Sequence, residues 1–387
     1  MVAATSSQPI SPTLGFLQLC LLSGWDGEAK IEATDLLGTG GVNWHEFIRE
    51  VSNACLGPVG FLAIKDLPGV PSDIKSSLHK QYLDSGVNAA LLTRELSQLL
   101  HIMNQHDIDI ILLKGIGLLN QLYENPAMRP MQDMDLLIDP KKAPLALKLI
   151  QEMGYSLVKT DLRSGFTLQF ENEVVLRKPG PLDLFLDLHW YLFDSPYYQN
   201  SNSSAWFIQT ALPITVGTES ARVLDVEPLI LYLCSHLALH HGSKDWIWML
   251  DLAYLTYHHL GRVDWSLLLT KAQELELVLP LQSTLPELKI AWRVPIPEEV
   301  LLQLKNLKPS AKEVDMASQA MVHGRGSGKR FIDDIRAFDD PEEKTRFIFQ
   351  RIFPSPDYMI RRYKIRNKAA LPAYYLYRWY LGIKSSF

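Results

Sequence analysis

The sequence predicts an α/β (α+β) fold, a small mixed sheet flanked by an N-terminal and a C-terminal helical region. Three observations predict it. Between residues 108 and 154, short branched apolar runs alternate with segments of helical periodicity. A series of strand-like runs then reaches Trp190. On both sides of this stretch, apolar residues recur at three- and four-residue spacing, as in helices that bury one face.

The N-terminal helical region covers residues 1–105. "WHEFIREVSNACLG" and "AALLTRELSQLLHIMNQH" carry its apolar stripes. "LPGVPSD" between them is rich in turn residues, and Ser72 or Asp73 is placed to cap the helix that follows. The core covers residues 106–225. It opens with "IDIILL" (108–113) as a strand and "GIGLLNQLYEN" (115–125) as a helix stopped by Asn125-Pro126. "MDLLID" (134–139) is the second strand, and "APLALKLIQEMG" (143–154) is a helix closed by Gly154. "YSLVK", "GFTLQF", "EVVLRK" and "LDLFLDLHW" all have strand character. The expected sheet therefore carries its helices on one side.

Residues 226–320 read as a C-terminal helical domain, broken into short pieces by Pro280, Pro286, Pro295 and Pro297. Residues 321–387 form a tail rich in cations and aromatic rings, with 14 Lys/Arg against seven Asp/Glu. Its end, "MIRRYKIRNKAALPAYYLYRWYLGIK", is compatible with gripping a nucleic acid, a membrane surface or a partner peptide. A terminal helix that packs its rings and leaves its cations in water is the preferred reading.

Composition limits the partners. The 387 residues are 47% hydrophobic and 21% charged, ordinary for a globular protein with a sizeable core. A net charge of −5 gives the whole chain no electrostatic pull toward nucleic acid or anionic membrane. Cys20, Cys55 and Cys234 are far apart and match no zinc or disulfide spacing, which suits a cytoplasmic location. No leader peptide and no apolar run of the roughly 18 residues needed for a membrane span is expected.

The chemistry concentrates in "LLKGIGLLNQLYENPAMRPMQDMDLLID" (112–139). Asp133 and Asp135 are two apart on a strand and so share a face. Neighbouring carboxylates repel unless a cation lies between them, and hard divalent cations prefer such oxygen ligands. Taken alone, the pair is more simply a solvated strand end. Its surroundings argue otherwise. Lys114 and Gly115 stand where a strand turns into a helix, whose N-terminus favours an anion and whose glycine admits close backbone approach. Arg129 adds a cation in the loop before Asp133.

This stretch resembles the uncharacterised nucleotidyltransferase family of the DNA polymerase beta-like superfamily. The resemblance rests on "LLKG" (112–115), "RPMQDMDLLI" (129–138), "LDLHW" (186–190) and the later "WMLDLA" (248–253), and it covers about residues 105 to 260. Most of the superfamily has Gly-Ser where this chain has Lys114-Gly115, a departure that this family shares. The resemblance implies a third carboxylate from a neighbouring strand, assigned to Asp187 rather than Asp183. It implies Mg²⁺ or Mn²⁺ on Asp133, Asp135 and Asp187, and phosphate held by Lys114, Gly115 and Arg129. His189 then touches the nucleotide or orients Asp187; a plain hydrogen-bonded edge histidine is an equal alternative.

The implied activity is release of pyrophosphate from an NTP. A nucleoside monophosphate, with AMP expected, passes to a small-molecule or peptide acceptor, and the resemblance implies a biosynthetic role. A nucleotide sensor without turnover and an antitoxin-like protein AMP-transferase are the alternatives. Nucleic acid is not expected as a partner. His236, His240 and His241, with Asp245 and Asp251, read as a polar seam facing the nucleotide cleft in preference to a metal cluster. "HGRGSGKR" (323–330) approaches a Walker A loop but lacks its first glycine and its Ser/Thr, and reads as a basic loop.

Overall fold

The computed structural model describes residues 12–24, 26–199, 201–240, 245–322 and 327–384. The alternating segments form a seven-stranded mixed sheet. Its strands are β1 (Ile111–Leu113), β2 (Asp133–Leu137), β3 (Ser156–Leu157), β4 (Glu173–Lys178), β5 (Leu184–His189), β6 (Leu212–Val216) and β7 (Glu219–Val223), in the order β3-β4-β5-β2-β1-β7-β6. β2 lies antiparallel to β1 and parallel to β5, and β1 lies parallel to β7. The two strands beside β2 therefore come from distant parts of the chain.

Period-two alternation divides β2 between two cores. Met134 and Leu136, with Leu186 and Leu188 of β5, pack under the long helix Ser72–Gln105 and the helix Ala143–Glu152. The helical partners there include Leu92, Leu96, Leu99, Ala146 and Ile150. On the other face Leu137, with Ile111 and Leu113, joins Tyr232 of the helix Val226–His240 and the N-terminal residues Phe16 and Phe47. Helices thus cover both faces, whereas the sequence pattern suggested one. Asp133 and Asp135 belong to the second face.

Two segments differ from their sequence reading. "GFTLQF" is a short helix, Phe166–Phe170, rather than a strand. The Asp161 carboxylate accepts from the backbone N–H of Gly165 and Thr167 and from the Thr167 hydroxyl, which holds the first turn. Phe166 and Phe170, one turn apart, then meet Phe347 of the helix Pro341–Ile352 in a third small core. The hairpin β6–β7, which the pattern reading passed over, turns at Gly217 with φ +63°. Its outer strand carries Pro213, a residue confined to sheet edges because it lacks a donor.

The C-terminal segment folds back as the helices Pro356–Tyr363 and Leu371–Lys384. The Trp379 indole donates to the carbonyl of Ile352 at 2.9 Å, and the Tyr375 hydroxyl donates to that of Pro354 at 2.5 Å. Cys20, Cys55 and Cys234 are free thiols.

The two glycines of "KGIG" differ in what surrounds them. A Cβ on Gly115 would touch the flexible Met131 side chain at 3.0 Å, but one on Gly117 would press to 2.7 Å on the backbone oxygen of Leu112. The oxygen belongs to β1, an interior strand of the sheet, and has nowhere to go. Gly117→Ala is expected to lower stability by about 1–3 kcal/mol, and Gly115→Ala by clearly less, as urea unfolding of the two variants would show.

Candidate active site

Three strands bring the site together. Parallel pairing of β2 with β5 sets Asp135 directly opposite Asp187 and Leu137 opposite His189. Antiparallel pairing of β4 with β5 sets Glu173 opposite His189. Register alone therefore gathers Asp135, Asp187, His189 and Glu173, with Asp133 two residues along β2. Asp135, Asp187 and His189 offer ligand atoms that all lie within 4.8 Å of one another. Asp133 is half-buried at the strand's entry, outside that set of three.

Lys114, the first residue of the helix that follows β1, closes the cluster. Its ammonium donates to Asp135 Oδ1 at 2.7 Å, and His189 Nε2 stands 3.1 Å from the same oxygen. The backbone at Lys114 lies in the left-handed region, φ +44°. That conformation costs a non-glycine residue about 1–2 kcal/mol, and the ion pair with Asp135 offsets it. His189 Nδ1 sits 2.9 Å from Glu173 Oε2, at an angle that makes the contact an ion pair rather than a hydrogen bond.

The charges follow from this packing. Burial alone would raise Asp135, but the Lys114 ammonium and the bond from His189 hold it at about 2. Burial likewise works against Glu173, and the His189 charge holds it at about 2. His189 is raised to about 9, because Glu173 and Asp135 outweigh its burial, so it is an imidazolium at neutral pH. Asp187 has no such cation of its own. Burial first, and then the charges of Asp135, Glu173 and Asp133, lift it to about 7. Asp133 is raised as well, by burial and by Asp135. Four carboxylates thus face Lys114 and His189, with Arg129 acting on Asp133 from outside the group, and the shortfall rests chiefly on Asp187.

Such a deficit suits a hard divalent cation. Carboxylate oxygens within a single ion's reach are an ordinary donor set for Mg²⁺ or Mn²⁺, and the protonated His189 orients Asp135 without ligating the ion. One buried polar atom adds to the case. The Tyr232 hydroxyl is fully buried beside these charges and has no hydrogen-bond partner among the described residues. The ion would rest on Asp135 and Asp187, with Asp133 at the rim.

Arg129 lies apart from this group. Its guanidinium is buried on Asp251 of the helix Trp246–His258, with Nε at 2.9 Å and Nη2 at 2.8 Å from Oδ2. The Tyr123 hydroxyl donates to Oδ1 of the same carboxylate at 2.6 Å, and the Arg129 guanidinium also rests over the Trp248 ring at 5.1 Å. Arg129 thus ties the loop leading into β2 to the C-terminal helices. Gly115 sits in the first turn of the helix Lys114–Gln121, against Met131. Asp183 makes a surface ion pair with Arg177 at 2.7 Å, just before β5 begins.

Pattern reading missed Glu173, Tyr232 and Tyr123. Glu173 stands in an ordinary strand run, and only the pairing of β4 with β5 exposes its place. His236 stacks on His240 at 4.8 Å and meets Trp248 edge-on, while His240 approaches Asp194 at 3.8 Å. Among the described residues they join no metal-like cluster, and His241 lies outside the described residues. Residues 323–326 of the glycine-rich basic stretch also lie outside them.

Residues 40–286 match the model of a family described as uncharacterised nucleotidyltransferase, and the chain belongs to that family. Among solved structures, the chain is similar to an antigenic nucleotidyltransferase-like protein from Paracoccidioides brasiliensis. The likeness has 18% identity and a TM-score of 0.38, and it covers 55% of this chain and 96% of that one. No protein of curated function matches.

Two outcomes are expected. Asp251→Asn leaves a buried guanidinium unpaired and should cost about 3–5 kcal/mol in urea unfolding, against no more than about 1 kcal/mol for Asp183→Asn, which breaks only a surface pair. Mn²⁺ binding should depend on pH through Asp187. Below about 7 its carboxyl holds a proton that the ion must displace, and above it does not. Affinity measured by calorimetry should therefore fall up to about tenfold per pH unit on the acid side and level off on the alkaline side.

Proposed function

We propose that the protein transfers a nucleoside monophosphate, AMP in the first instance, from an NTP to a hydroxyl of a small-molecule or peptide acceptor. The observation that carries this reading is the convergence of Asp135, Asp187 and His189 ligand atoms within 4.8 Å, in a cluster with more carboxylates than cations. Asp133 and Asp135 would hold the metal–nucleotide complex, and Asp135 with Asp187 would hold a second ion on the acceptor's side. Asp187, opposite Asp135 and lifted to about 7, takes the acceptor's proton. Lys114 and the first turn opened by Gly115 supply positive charge to phosphate oxygens. Glu173 keeps His189 charged, and the imidazolium holds the Asp135 carboxylate in place. Arg129 positions the loop before β2 from behind.

The balance of the step is simple. The acceptor oxygen bonds to the α-phosphorus, the bond from that phosphorus to the bridging oxygen breaks, and pyrophosphate leaves. The hydroxyl proton passes to Asp187. Bound Mg²⁺ or Mn²⁺ supplies neutralisation of the triphosphate and a lowered pKa at the attacking hydroxyl. Alignment and charge neutralisation provide most of the acceleration in reactions of this type.

Asp187→Asn tests the assignment. It keeps the shape and removes the proton acceptor. ATP–Mg²⁺ should still bind in calorimetry, while pyrophosphate release in the presence of a cell extract as acceptor source should fall by about 10²-fold or more. Asp133→Asn should weaken both, and Asp183→Asn neither. Near-normal release by Asp187→Asn would remove that residue from the chemistry.

A further inference from the structure

The last helix is built inside out. In Leu371–Lys384 the positions turned to the body are the polar or amphipathic ones, Tyr375, Arg378 and Trp379. They bond to the carbonyls of Pro354, Arg351 and Ile352. The opposite stripe, at three- and four-residue spacing, is apolar and wet: Leu376 is 61% exposed, Tyr377 49%, Tyr380 59% and Leu381 38%. Pro372 and Ala373 extend it toward the helix start. Phe353, 40% exposed, widens it, since its ring meets Trp379 at 5.3 Å. A contiguous exposed patch of this kind on a folded protein marks a contact surface.

Charge identifies what covers it. Residues 361–387 contain seven Lys/Arg and no Asp/Glu, in a chain whose net charge is −5. Arg361, Arg362, Lys364, Arg366, Lys368 and Lys384 are exposed, and none makes an ion pair among the described residues. The first five precede the helix and Lys384 ends it, so the apolar stripe is flanked by cations at both ends. Lys364 is held in the left-handed conformation, φ +50°, as the residue that ends the helix Pro356–Tyr363, which fixes the basic turn next to the stripe.

We propose that this face docks on an anionic lipid surface, with the terminal helix lying in the plane of the interface. Leucines enter the acyl boundary, tyrosines sit at headgroup depth, and the flanking cations meet lipid phosphates and carboxylates. No helix of the described residues is long and apolar enough to cross a membrane, so the contact is peripheral. A second copy of the chain is a poor occupant, because two such ends would bring like charges together. Nucleic acid is a poorer one, since Tyr377 and Tyr380 could stack on bases but Leu376 and Leu381 beside them would stay in water.

The test is co-sedimentation of the full chain with vesicles of phosphatidylcholine alone and of phosphatidylcholine mixed with phosphatidylserine. Binding is expected to the mixed vesicles only, and to weaken as salt is raised. Leu376→Glu with Leu381→Glu, and separately Arg361→Glu with Arg362→Glu, alter exposed side chains, so unchanged melting curves will show intact folding. Each pair should weaken vesicle binding by on the order of tenfold or more. Equal binding to neutral vesicles, no binding to either, unchanged binding by both double variants, or tighter binding to single-stranded DNA than to the mixed vesicles would overturn the proposal. So would a concentration-dependent dimer abolished by Leu376→Glu.

Discussion

The buried carboxylate of Asp135 is the constraint around which the rest of the centre is arranged. A lone ionised carboxylate at that depth would cost several kcal/mol. The protein offsets this with two cations on one oxygen, Lys114 just past the end of β1 and His189 from β5. Both consequences reach further. Lys114 must adopt a left-handed backbone to get there, which sets the turn from β1 into the next helix. His189 must stay protonated, which calls for Glu173 on β4. One carboxylate thus fixes the chemistry of three neighbouring strands.

The same arrangement leaves Asp187 uncompensated. It lies directly across from Asp135, in a cluster whose protein cations are already engaged, and it holds its proton to about 7. A position like this is a poor structural choice and a good functional one, since it favours whatever positive charge arrives next. The Arg129–Asp251 pair supports it from a distance. It anchors the loop that enters β2 on the helix Trp246–His258, while β2–β5 pairing sets the spacing of Asp133 and Asp135 relative to β5. The family match over residues 40–286 takes in both parts.

The core of the site was legible because strand period and a short spacing carry it. Asp133 and Asp135 share a face by alternation, and Lys114-Gly115 marks a strand turning into a helix. What was not legible depends on contacts between distant segments. Nothing in "NEVVLRK" distinguishes Glu173 from a solvated strand residue until β4 is laid beside β5. The pairing of Arg129 with Asp251, 122 residues away in sequence, could not be read from the loop before β2. "GFTLQF" looked like a strand because its aromatic residues favour one. Asp161 and the waiting Phe347 make it a helix, and the four-residue spacing of Phe166 and Phe170 was the available sign. The β6–β7 hairpin hid behind a proline and mixed polarity on an edge strand.

The central claim is that the carboxylate surplus around Asp135 and Asp187 is a seat for a metal–nucleotide complex. Calorimetric titration of ATP into the purified protein, once with Mg²⁺ and once in EDTA, addresses it most directly. The account predicts saturable binding with Mg²⁺ and none in EDTA, because a bare triphosphate would enter a cluster already rich in negative charge. Equally tight binding in EDTA would contradict it.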